Sequence, residues 1–179
     1  MRINLLALIS LSVLGCGEHS TATQVGQHVF TSDVTAFALN DSGGSGLGPA
    51  TPAGAPCARG ARTYALTVAD LHLTWSFCTV INDGTQASDY SLSTADQTLS
   101  DAEWQTLLPA LQGLVTTDNT SCGADKDSVV VSLTKGANKI DYGDGFYGCD
   151  QPYTKPLLSS NSIDAASAAL AVVAPLFTT

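Results

Sequence analysis

The chain has 179 residues, of which 44% are hydrophobic and 13% are charged, and its formal net charge is −9. This length suits one domain that can bury a core of ordinary size. The acidic balance argues against binding to nucleic acid, which needs a basic face, and against docking on anionic lipid by charge. A basic partner or a divalent cation fits the charge, and so does simple solubility.

The first residues predict where the protein goes. Arg2 precedes an apolar stretch, residues 3–14, which is shorter than the roughly 20 residues that cross a bilayer as a helix. A basic residue, an apolar run and then a small residue, Gly15, are typical of a secretory signal peptide. The alternative that stays open is an ordinary secretory signal in which the following cysteine has no role.

The segment Val13-Leu14-Gly15-Cys16 resembles the lipobox of bacterial lipoproteins. The resemblance implies that residues 1–15 are removed and that Cys16, now the first residue, carries lipid on its sulfur and amino group. Gly17 stands where some bacteria place an Asp that retains a lipoprotein in the inner membrane. The resemblance therefore favours the outer membrane of a bacterial cell envelope over the inner one.

After Cys16 the sequence predicts a short polar tether at residues 16–27, followed by a single domain at residues 28–179. Residues 40–60 of that domain are rich in Gly and Pro and hold almost no large apolar side chain. Such a stretch cannot offset its ordering entropy by burial. We expect a long loop there.

The cysteine count agrees with export. Without Cys16 the chain keeps four cysteines, an even number that suits a disulfide framework in an oxidising compartment: Cys57, Cys78, Cys122 and Cys149. Three pairings are possible, and the candidate hairpins favour Cys57–Cys78 and Cys122–Cys149. A metal site is disfavoured because no C-x-x-C spacing exists and no histidine lies within five residues of any of these four cysteines.

Residues 64–80 carry the clearest strand signal, since large apolar residues alternate with small or polar ones. A turn at Ala69-Asp70 would place Leu66 opposite Leu73 and Tyr64 opposite Trp75, with the apolar side chains on one face. Further strands are predicted at residues 33–39, 90–94 and 129–133. A return strand is predicted through Ile140 and Tyr142 and then Phe146-Tyr147.

Two helices are predicted. Ser100 and Glu103 form a capping box, and apolar residues follow it at helical spacing: Trp104, Leu107, Leu108, Leu111 and Val115. Pro109 should kink this helix. The Ala-rich segment at 162–174 predicts a C-terminal helix, with a buried strand at 170–177 as the alternative. The predicted fold class is α+β: an antiparallel sheet of five or six strands with both helices against one face.

Two segments resemble chemical sites. Asp41-Ser42-Gly43-Gly44 resembles the sequence around the nucleophile of trypsin-like proteases, but only four residues match and the histidine base of that family has no clear counterpart. We attribute it to the composition of the loop. Asp141, Asp144 and Asp150 surround a Gly-containing turn that could bind Ca²⁺, although the spacing is not that of an EF-hand. An exposed turn with solubilising charge is the alternative.

No residue is assigned a catalytic role, and no cofactor is expected. The sequence predicts a lipid-anchored envelope protein, held to the membrane by its lipid and acting as a non-catalytic binding or structural module for a protein partner. The alternative is an inhibitor of exported hydrolases such as proteases, with Ala58-Arg59 beside Cys57 as its contact. An enzyme stays a third possibility.

Overall fold

The computed structural model describes residues 25–43, 51–82, 88–121, 128–147 and 154–175. In chain order the elements are β1 (Val34–Asp41), β2 (Arg62–Thr67), β3 (His72–Asn82), β4 (Ser88–Thr98), α1 (Asp101–Gln112), β5 (Thr116–Thr117), β6 (Val129–Lys135), β7 (Asn138–Asp144), a 3₁₀ turn (Gly145–Tyr147), β8 (Leu157–Leu158) and α2 (Ser160–Val173). The α+β prediction is confirmed.

The strands form one sheet in the order β4-β3-β2-β1-β6-β7-β8-β5. All neighbours are antiparallel except β7 and β8, which are parallel. The predicted count of five or six strands was wrong, because β5 and β8 each have only two residues and carry no periodic signal.

The β2–β3 hairpin has the predicted register: Leu66 lies opposite Leu73, and Tyr64 lies opposite Trp75. Regular pairing stops at Thr67, so four residues rather than two make the turn. Leu71 closes this turn with a φ of 52°, in the left-handed region that non-glycine residues seldom adopt. The longer turn keeps every apolar side chain on its predicted face.

The two faces of the sheet differ in composition. One face, which we call the inner face, joins both helices in a single apolar core; its fully buried members include Phe37, Leu39, Tyr64, Leu66, Leu73, Val131 and Leu133. The opposite, outer face carries small and hydroxyl side chains, mostly exposed, among them Thr63, Ala65, Thr67, Thr74 and Thr94. Within the part of the chain that the structure describes, helices therefore cover one side of the sheet, as alternation along the strands predicts.

Helix α1 begins as predicted. The Ser100 amide donates to the Glu103 carboxylate at 2.8 Å, and the Glu103 amide donates to the Ser100 hydroxyl. The helix is continuous through Pro109 and ends at Gln112. Leu107 and Leu111 are fully buried, but Trp104, expected in the core, is only half-buried at its edge.

The β6–β7 hairpin has a two-residue turn in which Gly136 adopts a φ of 57°. The predicted extension of the return strand through Phe146-Tyr147 was wrong, because β7 ends at Asp144 and a 3₁₀ turn follows. The Asp144 carboxylate accepts a hydrogen bond from the Phe146 amide at 2.9 Å. This local bond stabilises the turn.

Helix α2 spans Ser160–Val173 and confirms the helical interpretation of the C-terminal segment. Its buried side chains share one stripe: Ile163, Ala166, Leu170 and Val173. Both helices of the described ranges are too short or too polar to cross a bilayer.

Among the described residues, the hydrogen bonds of the fold begin at Gly26, inside the segment predicted as a tether. The Gly26 amide donates to the Thr116 carbonyl at 2.9 Å, and the Thr116 amide donates to the Gln27 carbonyl at 3.0 Å. His28 then pairs with Val115 in an isolated antiparallel β-bridge. The chain thus enters the domain beside β5, at one end of the sheet.

Candidate functional site

A disulfide fixes the segment that precedes β2. Cys57 is bonded to Cys78 of β3, with their Cα atoms 5.8 Å apart, as predicted. The Cys78 amide donates to the Ala61 carbonyl at 2.8 Å, and the Ala61 amide donates to the Ala58 carbonyl at 3.0 Å. The Arg59 side chain is exposed on the turn that these bonds close. The disulfide and these hydrogen bonds therefore hold the short loop against β3.

A buried carboxylate stabilises the chain next to this loop, at the end of β1. Asp41, at the end of β1, is 9% exposed and lies 3.2 Å from Nε of Arg62. Its Oδ1 accepts from the Gly43 amide at 3.1 Å. Gly43 packs tightly against the loop, because a Cβ there would lie 2.3 Å from the Ala61 nitrogen. Asp41 is thus a structural anchor for the loop.

Sequence reasoning missed this anchor. Asp41 extends the alternation of Phe37 and Leu39 by one step, which places it on the inner face of the sheet. Arg62 stands directly opposite Asp41 in the register. A charged residue in phase with two buried ones was the available signal, since a buried charge needs a partner. Burial also raises the pKa of the neighbouring Tyr64 hydroxyl.

Two of the three predicted calcium ligands, Asp141 and Asp144, are not brought together. Asp141 lies on the outer face of β7, whereas Asp144 is buried on the other face, because residues three apart in a strand point to opposite sides. Asp150 lies outside the described residues. Among the residues that the structure describes, no three His, Cys, Asp or Glu side chains form a metal-binding group.

Asp141 instead belongs to a polar cluster on the outer face. The Ser132 hydroxyl donates to Asp141 Oδ1 at 2.6 Å, and Lys139 Nζ lies 3.4 Å from the same oxygen. The Ser132 hydrogen bond lowers the pKa of Asp141, with a smaller contribution of the same sign from Lys139. The cluster ties β6 to β7.

This cluster predicts a pH dependence. Because the folded-state pKa of Asp141 lies below its unfolded value, its contribution to stability is complete above the unfolded pKa and is lost as the pH falls through the folded pKa. The Ser132→Ala variant should raise the pKa of Asp141 and lose less stability across that acid range. NMR titration of the Asp141 carboxyl measures the shift; Thr134→Val, on the same face of β6, is the control. An unchanged pKa in Ser132→Ala would contradict this account.

A polar cavity of about 450 Å³ opens beside the first turn of α2. Hydroxyl and amide groups and one carboxylate line most of it: Thr117, Asn119, Ser121, Ser159, Asn161 and Asp164. Gly145 forms part of the wall, where a Cβ would lie 2.9 Å from the Asn119 carbonyl oxygen. These groups can hydrogen-bond many small polar molecules, and they select no particular chemistry.

Four predicted site residues lie outside the described residues: Cys16, Cys122, Cys149 and Asp150. Of the others, the structure pairs Cys57 with Cys78 and separates Asp141 from Asp144. No protein-family model, no curated protein and no solved structure matches the chain. A functional interpretation therefore depends on the residues themselves.

Proposed function

We propose that the protein is a lipid-anchored component of a bacterial cell envelope, more specifically of the outer membrane, whose domain is a non-catalytic binding or structural module. The single observation that carries this proposal is Cys16, placed after Gly15 at the end of a short apolar run that follows Arg2. A lipidated first residue would hold the domain at the membrane without a spanning helix.

The distance between the lipid and the fold is short. Cys16 and Gly26 are ten positions apart, and Gly26 makes the first hydrogen bond of the domain among the described residues. A fully extended chain of that length spans at most about 35 Å. In the anchored state the domain would therefore stay close to the membrane surface.

The disulfide chemistry supports export. Cys57–Cys78 is the kind of bond that persists in an oxidising compartment. We propose Cys122–Cys149 as the second bond, because it is the pairing that remains among the four cysteines. The flanking residues agree with it: the Ser121 amide donates to the Gly145 carbonyl at 2.9 Å. One chain segment next to each cysteine is therefore near the other.

Structural roles account for the carboxylates whose pKa is lowered among the described residues. Glu103 caps helix α1, and its hydrogen bonds with Ser100 lower its pKa. Asp141 ties β6 to β7, as described above. Asp33 accepts a hydrogen bond from the Thr31 hydroxyl, which lowers its pKa, and Lys135 lies 3.4 Å away. These contacts support a scaffold that presents a surface.

The lipid anchor predicts a defined change in partitioning. The full-length chain in its native host should remain with membranes after a high-salt wash, whereas Cys16→Ser should be soluble or unprocessed. The physical reason is that each buried methylene of an acyl chain contributes about 0.8 kcal/mol to membrane binding. Fractionation and immunoblotting measure the partition. Mass spectrometry should find a fatty-acylated peptide that begins at Cys16.

Ser20→Ala, in the predicted tether, is the matched control and should partition as the original chain does. The proposal fails if Cys16→Ser stays with the washed membranes. It also fails if the mature chain starts at another residue or carries no fatty acid.

The second candidate is an inhibitor of exported proteases, favoured by the disulfide-fixed loop and its exposed Arg59. The Arg59 amide donates to the Thr51 hydroxyl at 3.2 Å, so the loop is held by side-chain contacts as well. Titration of the domain against a protease that cleaves after Arg separates the two candidates. Tight inhibition that disappears in Arg59→Ala would select the inhibitor.

A further inference from the structure

Strand β4 ends the sheet, and its far side has no neighbouring strand within the described ranges. It pairs with β3 over eleven consecutive residues, from Asn82–Ser88 to His72–Thr98, without a register shift. Such a strand is longer than most strands in globular proteins. It leaves a continuous row of backbone groups along one border of the sheet.

The hydrogen-bond pattern shows which groups face outward. The Cys78 amide donates to the Ala61 carbonyl, on the β2 side of β3. The backbone N–H and C=O groups of the odd-numbered residues of β3, such as Phe77, therefore point toward β4. The Leu99 amide donates to the Leu71 carbonyl, which agrees with this phase. The residues of β4 that bond to β3 are therefore odd-numbered. The even-numbered residues therefore have N–H and C=O groups that point away from the sheet, and those in the interior of the strand are Tyr90, Leu92, Thr94 and Asp96.

Natural sheets protect such an edge with Lys, Pro, a bulge or a short strand. The sequence of β4 contains no Lys, Arg or Pro, and its pairing contains no bulge. Its two charges are Asp89 and Asp96, both exposed and on opposite faces of the sheet. Asp96 is close to His72 on the outer face, with Oδ2 3.7 Å from Nε2. The edge is thus negative on both faces and open along its backbone.

The charge decides between possible occupants. A second copy would bring four aspartates and two chains of net charge −9 together, with no cation on either edge strand to offset them. An extended segment with Lys or Arg on alternate faces would meet a carboxylate on each side. The same two aspartates therefore oppose self-association and favour a basic partner.

We propose that the outer edge of β4 binds an extended, basic protein segment by strand addition. The backbone groups of Tyr90, Leu92, Thr94 and Asp96 form the ladder, and Asp89 and Asp96 select positive side chains. This names the partner class of the binding module proposed above. It depends on the geometry of β4 and not on Cys16.

The test uses the mature chain and two eight-residue peptides, Lys-Lys-Val-Val-Lys-Lys-Val-Val and the same sequence with Glu in place of Lys, so that each peptide carries charged side chains on both faces of an extended strand. Fluorescence anisotropy should show binding of the Lys peptide at least tenfold tighter than that of the Glu peptide. Amide exchange should slow at Tyr90, Leu92, Thr94 and Asp96 when the Lys peptide is bound. Equal affinity for both peptides, or slower exchange only elsewhere, would overturn the proposal.

A proline variant tests the ladder directly. Thr94→Pro removes an outward N–H and keeps the bonds to β3, because proline is tolerated at edge positions that face solvent. It should weaken binding of the Lys peptide at least tenfold, while Thr94→Val, which keeps the N–H, should bind within twofold of the original chain. Undiminished binding by a folded Thr94→Pro would contradict strand addition.

If Thr94→Pro does not fold, the peptide carries the same test. N-methylation at every second residue of the Lys peptide removes the N–H donors along one edge of the peptide strand. Two such peptides can be made, methylated at odd or at even positions, and one of them should fail to bind. Binding by both methylated peptides would overturn the proposal. So would dimers of the chain that the Lys peptide does not dissociate, since they would assign the edge to a second copy. Membrane partitioning of Cys16→Ser affects none of these results, so the two proposals can fail separately.

Discussion

Replacing Cys57 and Cys78 together by alanine is expected to lower the free energy of unfolding by about 3 kcal/mol. The bond joins residues 21 positions apart, and closing a loop of that size restricts the unfolded chain by roughly this amount. Cys78 is also fully buried in β3, so the loss of its sulfur adds a packing term. The effect should be among the largest of any change outside the apolar core.

Chemical denaturation of oxidised and reduced protein measures this effect and separates its two parts. Reduction of the original chain keeps both sulfur atoms and removes only the cross-link. A further loss when the Cys57→Ala/Cys78→Ala variant is reduced would report a second bond, which we propose to be Cys122–Cys149. A change below about 1 kcal/mol in both experiments would contradict a structural role for Cys57–Cys78.

The Leu107→Ala variant should lose about 2–5 kcal/mol of stability, the range observed when a large buried side chain is removed from a core. Leu107 is fully buried on α1, within the cluster that joins both helices to the inner face of the sheet. Neighbouring side chains belong to a sheet and a second helix, so the cavity cannot close without moving whole elements.

Trp104→Ala provides the matched comparison on the same helix. Trp104 is half-buried at the edge of the core, so its removal should destabilise the protein less than Leu107→Ala, despite the larger side chain. Thermal unfolding followed by circular dichroism measures both variants. A larger loss of stability for Trp104→Ala would contradict this account and show that the first turn of α1 contributes more to core packing than its middle.

Local sequence patterns predicted those elements whose register or boundaries depend on residues close together in the chain. The β2–β3 register follows from seven apolar residues that fit one face in a single alignment. The start of α1 follows from the pair Ser100 and Glu103, because their reciprocal hydrogen bonds satisfy amides that a helix leaves free. The helical interpretation of α2 follows from apolar residues three and four apart.

Other elements depend on contacts that are distant in sequence. Strand β4 is rich in Ser, Thr and Asp, so its sequence predicted only residues 90–94 of the eleven that pair. Its extent is determined by β3, which provides a partner for every residue. Likewise β8 has two residues, and its strand structure exists only because Leu157 and Leu158 lie between β7 and β5.

The candidate sites show the same division. The pairing of Cys57 with Cys78 was predictable because both cysteines flank one hairpin. The ion pair of Asp41 with Arg62 was not predicted, since it depends on the register between β1 and β2, which are joined by twenty residues of irregular sequence. The separation of Asp141 from Asp144 follows from strand alternation once the end of β7 is known.

The entry of the chain beside β5 has a consequence for orientation. Strands β5 and β4 stand at opposite ends of an eight-strand order, and seven spacings between neighbouring strands amount to roughly 30 Å. In the lipid-anchored state that we propose, the tether would join the domain at its β5 end. The outer edge of β4 would then lie at the end of the sheet opposite the tether, where it remains accessible to a partner segment.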